Sequence, residues 1–445
     1  MHRFVLILVG ALAFASPLQA QQRLRDRIAQ LFIFGEGEDP LFLAGTADPN
    51  NPASIQAHGA HFIPSAVDNN STLIGFLTNA VSLNVANIPI SATSSGQTFR
   101  FVGGVPVATS ASPGPVFGER AQTLGRGRVL VGTNVNVFHF TSVRGVSLDD
   151  VQLNFTHANA DFDGCDTIFG GDCTLQGIPT LENDFIQLDL DMNLDVRSVM
   201  FALSYGLFDW ADIGVAVPIV TTSLRATSSA QVVPFGGPSA THFFTGTPSN
   251  PNLFATRSID GTATGLGDVA ARLKVAVRQS GRANVALLGD VRFATGSAED
   301  LLGSGSTAIR GLGIVSAQLD DFSPHINVGY LHRTDSLQTD AMLATIGFDK
   351  LLAPWVGFAA DLISELQVGE NALTIPKPLR VDKPFRRLIP LTNIPNSRDD
   401  IINGAFGLKF LTSSGLTIVT NSLIPLNRGG LRATVAWTVG LEYNF

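Results

Sequence analysis

Leu431–Phe445, LRATVAWTVGLEYNF, is the stretch on which the fold turns. Every second residue back from the end is apolar or aromatic: Phe445, Tyr443, Leu441, Val439, Trp437, Val435, Ala433 and Leu431. The interleaved Asn444, Glu442, Gly440, Thr438, Ala436, Thr434 and Arg432 are small or polar. A period of two places these sets on opposite faces of one strand. The apolar face is long enough for a tilted strand to cross a bilayer, which takes about nine to eleven residues. The same segment alone also fits the last strand of a soluble sandwich, so the rest of the chain must decide whether lipid or a second sheet covers it. Phe445, an aromatic carboxy-terminal residue, is where such a barrel is expected to meet the barrel assembly machinery.

The pattern recurs upstream. Arg128–Phe138 sets Val129, Val131, Val135 and Val137 against Gly132, Asn134 and Asn136. Asp184–Val196 alternates with Ile186, Leu188, Leu190, Met192, Leu194 and Val196 expected outward, and Gln187, Asp189, Asp191, Asn193 and Asp195 inward. The phase then slips, because Val199, Phe201, Leu203 and Tyr205 are the next apolar set, and a bulge near Arg197-Ser198 is predicted. Further strands follow at Ile213–Ile219, Gly265–Arg278, Asn284–Phe293, Ile309–Leu319, His325–His332, Ala341–Phe348, Val356–Val368, Ile402–Phe410 and Leu416–Leu426. With the terminal strand this predicts an all-β, transmembrane antiparallel β-barrel over residues 121–445, of about twelve strands (twelve to fourteen).

Connections at 208–211, 280–283, 320–324, 351–354 and 411–415 are short, and those at 144–183, 228–262, 297–307 and 367–398 are long; the turn at 427–430 breaks the alternation. Tight periplasmic turns and extended external loops produce this pattern and put both termini in the periplasm. Tyr205, Phe208, Trp210, Trp355, Tyr443 and Phe445 then fall at periplasmic strand ends, where an aromatic girdle belongs. A soluble sandwich has no reason to place them there.

Composition agrees. The 445 residues have a mean hydropathy of +0.24 with only 15% charged residues and 44 glycines, as a greasy outside and a small, polar inside require. No stretch of about twenty uninterrupted apolar residues exists to cross as a helix. Residues 1–20 read as a signal peptide, with His2-Arg3, an apolar run Phe4–Ala15 and a Leu18-Gln19-Ala20 cleavage site. An exported membrane chain without helical spans must close its sheet, since an open edge in lipid leaves backbone groups unpaired. The expected location is the bacterial outer membrane, with outer-membrane lipid as a partner. The net charge of −8 speaks against nucleic acid.

Residues 21–120 do not alternate. Leu24–Gly35 has helical spacing, residues 41–70 read as loop, Ser71 caps a second helix, and residues 97–110 read as a hairpin turning at Gly103-Gly104. This segment is expected to plug the lumen or to cap it from the periplasm; a separately folded periplasmic domain is the competing reading. Cys165 and Cys173 are expected to form a small disulfide in an oxidising compartment. Asp161, Asp163, Asp166 and Asp172 around them have calcium-like spacing but lack the closing glutamate, so a solvated acidic loop is predicted and no metal.

Four segments, GPVFGERAQTLGRGR (114–128), SYGLFDWADIGVAVPIV (204–220), GLGDVAARLK (265–274) and VRFATGSAEDLLGSGS (291–306), together resemble the outer-membrane transporters associated with the meta-cleavage pathway of phenol degradation. The resemblance implies a barrel and import of small, often hydrophobic or aromatic molecules. It brings no binding residues with it.

No catalytic constellation is present in the sequence. Gly265-Leu266-Gly267-Asp268 lacks the Lys of a phosphate loop, Gly303–Ser306 is not a nucleophile elbow, and the histidines are scattered. The chain is read as a non-enzyme without cofactor. Strand phase instead turns charges inward: Asp189, Asp191, Asp195, Asp268, Arg272, Lys274, Arg278, Asp290, Arg292, Asp361, Glu365 and Lys409. Such residues line a solute pathway or fill a narrow lumen with cross-strand ion pairs, and the two roles are compatible. The expected function is passive uptake of small, hydrophobic or aromatic solutes through a plugged, charge-lined lumen. The alternative is a non-transporting surface barrel whose external loops bind partners.

Overall fold

A computed structural model describes residues 23–32, 34, 99–102, 105–108, 114–155, 184–234, 243–247, 249–279, 282–334, 339–371, 375, 378–381, 387–412 and 414–445. The expected signal peptide, the second helix and both cysteines lie outside these residues.

Twelve antiparallel strands close into one barrel. They are β1 (Val129–Val143), β2 (Asp184–Phe208), β3 (Ala211–Pro234), β4 (Ala270–Arg278), β5 (Ala283–Arg292), β6 (Ala308–Ala317), β7 (Phe322–Arg333), β8 (Ala341–Ala353), β9 (Val356–Gln367), β10 (Ile401–Leu411), β11 (Leu416–Pro425) and β12 (Ala436–Asn444). Each pairs with its neighbour in sequence, and β12 returns to β1 with Val439 opposite Val135. Val129 and Phe445 exchange both backbone hydrogen bonds, at 2.9 and 3.0 Å, so the seam is sealed to its last residue. Closure leaves no unpaired edge, which is what lipid demands.

The alternation holds where it was read most directly. Trp437, Val439, Leu441 and Tyr443 are exposed, while Thr438, Gly440 and Glu442 are buried. Leu431 departs from it and is buried: Leu431–Ala433 forms a separate short strand against β1, and a register shift at Arg432/Ala433 turns it over. Phe208 stacks on Trp210 (5.0 Å between centroids), Trp355 on Phe410 (6.3 Å), and Tyr443 packs on Phe445 (5.6 Å) at the end of the barrel with the short turns. The girdle is therefore formed as expected.

Strands β2 and β3 correct the sequence reading. They run 25 and 24 residues, more than twice the length a membrane crossing needs. Their register is unbroken from Asp184/Pro234 to Gly206/Asp212, so there is no bulge near Arg197-Ser198. What changes along the strand is the surroundings. Phe201, Leu203 and Tyr205 are exposed on the outer face, yet on that same face Asp189, Asp191, Asn193 and Arg197 are exposed and polar. On the inner face, Ser198 and Ser204 give way to buried Ile186, Leu188, Leu190, Leu194 and Val196. The hydropathy of the two faces swaps because the strand leaves lipid for water near residue 197. On β3 the outward set changes from Ile213, Val215 and Ile219 to Thr221, Ser223, Arg225 and Thr227 at the matching level. Asp189, Asp191 and Asp195 consequently sit on the outside of the barrel's extension rather than in the lumen.

The extension has its own core. Val151–Phe155 pairs with β2, and Phe254–Leu266 pairs with β3 where β4 has ended. Phe138, Phe140, Phe155, Leu188, Leu194 and Leu224 pack there with Leu24, Leu31, Phe32 and Phe34 from the start of the chain. A helix, α1 (Leu24–Gln30), supplies Leu24, close to Gly261 on the facing strand. Each such buried Leu or Phe stabilises the extension by about 1.5–3 kcal/mol relative to exposure. The hairpin expected at 97–110 is present, with Phe99 opposite Ala108 and Val102 opposite Val105.

Candidate functional site

Residues 114–126 carry no regular secondary structure and run down the inside of the barrel toward the start of β1. A chain without a ladder must bond its backbone elsewhere when buried, and here the barrel wall provides the partners. Asp361 on β9 accepts from the amides of Phe117 and Gly118, both at 3.0 Å, and its other oxygen meets His325 Nε2 of β7 at 2.9 Å. Asn327 on β7 accepts from the Glu119 amide (2.7 Å) and donates to the Glu119 carbonyl (2.8 Å). The Ala121 amide donates to Ser316 Oγ on β6 at 3.0 Å. The Leu124 amide donates to Asp212 on β3 at 2.9 Å, and the Thr123 hydroxyl to the Asp209 carbonyl at 2.6 Å.

The segment's side chains are tied in as well. Glu119 lies between Arg272 Nη1 and Lys274 Nζ of β4, each at 2.9 Å. Arg120 forms a two-pronged pair with Asp349 of β8, with Nε 3.0 Å from Oδ1. Both pairs are buried. Breaking one partner of a buried pair leaves an uncompensated charge, so these contacts fix the segment's position more than they add net stability.

The inward charges of the wall are paired in separate groups. Arg272, Asp290 and Arg310 stand opposite one another across β4, β5 and β6. Asp290 is ion-paired with Arg310 and lies 3.9 Å from Arg272. Glu365 on β9 pairs with Arg333 on β7, and Lys409 on β10 with Glu442 on β12 at 3.4 Å. Asp268 is held by the amide and hydroxyl of Ser304 (2.8 and 2.7 Å) and by the Gly296 amide (3.0 Å), which pins the connection between β5 and β6.

Between the segment and strands β4–β9 a cavity of about 130 Å³ remains. Its lining mixes charged Glu119, Arg272, Asp290, Arg292, Arg310 and Glu365 with apolar Leu312, Leu331, Leu343 and Ile363.

Of the expected inward charges, Asp268, Arg272, Lys274, Asp290, Arg292, Asp361 and Lys409 are buried inside, and Glu365 lines the cavity. Four are elsewhere. Asp195 pairs with His139 at 2.9 Å on the exposed outer face, and Asp189 accepts from Gln152 at 3.1 Å. Asp191 is exposed beside them, for the reason given by the lipid–water boundary above. Arg278 follows a register shift between Ala276 and Arg278 and is exposed at the short-turn end. Sequence reading missed Glu119, Arg120, Arg310, His325, Arg333, Asp349 and Glu442. Arg310 was accessible to it, because Ile309 outward forces Arg310 inward opposite Asp290.

Among solved structures, the chain is similar to an outer membrane channel from Pseudomonas putida F1, at 10% identity and a TM-score of 0.40, over 73% of this chain and 98% of that one. It is similar to a Pseudomonas aeruginosa FadL homologue at 11% identity and a TM-score of 0.31, over 72% and 89%. The Ralstonia pickettii toluene transporter TbuX matches at 11% identity and a TM-score of 0.26, over 72% and 90%. No family model matches the chain, and no curated protein matches it.

Proposed function

We propose that this chain is a bacterial outer-membrane channel for passive entry of small, hydrophobic or aromatic solutes, with the residues before β1 as its plug. The observation that carries the reading is a lumen filled from the wall inward by residues 114–126 that still keeps a cavity lined by both charged and apolar side chains. A wide aqueous pore would need no such filling, and a purely structural barrel would have no use for the cavity. The resemblance of residues 114–306 to transporters of the phenol meta-cleavage pathway supports the same solute class. The short-turn end faces the periplasm in this reading and the extension faces outside, as in outer-membrane barrels generally. Phe445, exposed at the seam, is the residue offered to the assembly machinery.

Initial uptake of labelled phenol, compared in cells with and without the protein, tests the proposal. Faster uptake with the protein supports it. Equal rates at matched expression favour the second reading, a surface barrel whose loops bind partners, which draws on the tall, polar-faced extension of β2 and β3.

A further inference from the structure

We infer that the plug opens at Val116, onto an uncharged track down the wall of β11, β12, β1 and β2, and that Asn421 is the polar group an entering solute meets there. This rests on the channel reading and adds to it a route and a gate residue. The lumen has two unlike sides. Residues 117–124 are fastened to β3, β4 and β6–β9 by the hydrogen bonds and ion pairs described above. The same side carries the pairs of Asp290 with Arg310 and of Glu365 with Arg333. Parting such pairs to admit a neutral molecule would leave buried charges uncompensated.

The opposite side is built from other residues. Of the inward positions between Leu130 and Phe140, Val196 and Ser204, Val419 and Leu423, and Ala436 and Glu442, Glu442 alone is charged, and Lys409 pairs with it at 3.4 Å. One register row crosses all four strands: Asn421 stands opposite Thr438, Thr438 opposite Asn136, and Asn136 opposite Ser198. All four side chains are buried. Thr438 donates to Asn136 at 2.8 Å, and Asn136 to Asn134 at 2.7 Å. The two ends of the row are unsatisfied. Among the described residues, neither Nδ2 nor Oδ1 of Asn421 has a hydrogen-bond partner, and nor does Ser198 Oγ. Toward the short-turn end, Gly440 and Gly132 supply no side chain, and a gap of about 20 Å³ lies against them, room enough for a water. Val116 closes this track. A side chain at Gly407 would strike Val116 Cγ2 and crowd Asn421 Cβ, so the buried valine sits beside the amide. A buried amide without a partner carries its desolvation penalty in full. Water or a polar atom of a solute relieves that penalty once Val116 moves aside. One residue later the backbone is already held by Asp361, so the closed state is weakest at Val116.

The test measures initial phenol uptake by cells at matched expression, together with the thermal midpoint of each purified full-length variant. Asn421→Leu removes the unsatisfied amide and gives Val116 an apolar neighbour. Its midpoint should rise, and uptake should fall roughly five-fold or more as the closed state gains the lost penalty. Val116→Ala removes the obstruction and should raise uptake by a similar factor. A purely structural Asn421 would move the midpoint and leave uptake alone, which overturns the inference. Uptake within about two-fold of wild type in Val116→Ala, or faster uptake in Asn421→Leu, overturns it as well. Should Asn421→Leu fail to fold, Val116→Ala decides alone. Absence of uptake by the wild type overturns the channel reading itself, whereas wild-type uptake that neither substitution alters overturns only the gate.

Discussion

Arg120 and Asp349 meet inside the barrel, the first on the segment that precedes β1 and the second on β8, with side chains 3% and 1% exposed. They join residues far apart in sequence at a point where neither can reach bulk water. Asp349→Asn leaves the guanidinium without its carboxylate and should cost about 3–5 kcal/mol. The unfolding midpoint in denaturant should fall accordingly, and planar-bilayer conductance should rise as the segment loosens. Replacing both residues by apolar ones of similar size should cost much less. An unchanged midpoint in Asp349→Asn would show that the pair does not hold the segment.

Gly118 offers a steric test of the same contact. A Cβ there would overlap the imidazole of His325, which is itself buried and fixed by Asp361. Gly118→Ala should therefore destabilise by about 1–3 kcal/mol, the usual range for overpacking. Gly132→Ala on β1 is the control, because its nearest atom would be 3.7 Å away. Thermal midpoints of the two variants should separate; coincidence would mean that residues 117–118 do not lie against β7.

The end of the barrel opposite the short turns holds a carboxylate clip. Asp340, in the connection before β8, accepts from the Arg333 amide (3.0 Å) and the Tyr330 hydroxyl (2.7 Å) and meets His332 Nδ1 at 3.0 Å. Its partial burial raises the pKa, but these donors outweigh that and hold the carboxyl down at about 2. A depressed carboxylate pKa means stability that is complete above about pH 4 and is lost as pH falls toward 2. Measured against the free amide at the same pH, the protection of the Arg333 amide should fall across that window in the wild type. In Asp340→Asn the protection should already be low at neutral pH and show no such acid step.

The twelve strands were legible because lipid imposes one rule on the outer face, and Val131, Val135, Trp437 and Val439 obey it. The rule fails where a strand outgrows the bilayer. Ile186 and Phe201 are both large and apolar, yet one packs inside the extension and the other faces lipid. Period two reveals that a strand has two faces but does not name the face turned to the lumen, and this misplaced Asp189, Asp191 and Asp195. Arg278 was lost to a single register shift at Ala276. Glu119 and Arg120 were illegible for another reason. They lie in a segment with no period at all, and their partners Lys274 and Asp349 are selected by the closed barrel's geometry rather than by sequence spacing.

One strand face makes the boundary measurable by stability. Leu203→Arg, on the outward face of β2 in the lipid half, should cost about 2–4 kcal/mol. Asp191→Arg, on the same face of the same strand in the extension, should change stability by less than about 0.5 kcal/mol. Unfolding from bilayers with urea resolves the two. Similar losses at both positions would place both in the same medium.

The most direct measurement is solvent and lipid accessibility along β2 and β3. Nitroxide labels placed singly at 191, 193, 201, 203, 215, 217, 227 and 229, in a Cys165→Ala/Cys173→Ala background reconstituted in lipid, report which medium each outward position meets. The account predicts oxygen-accessible, lipid-facing labels at 201, 203, 215 and 217, and accessibility to a water-soluble relaxer at 191, 193, 227 and 229, with the change near 197 and 221. Uniform access to the water-soluble reagent at all eight positions would contradict it, because a barrel wrapped by water rather than lipid cannot be a membrane channel.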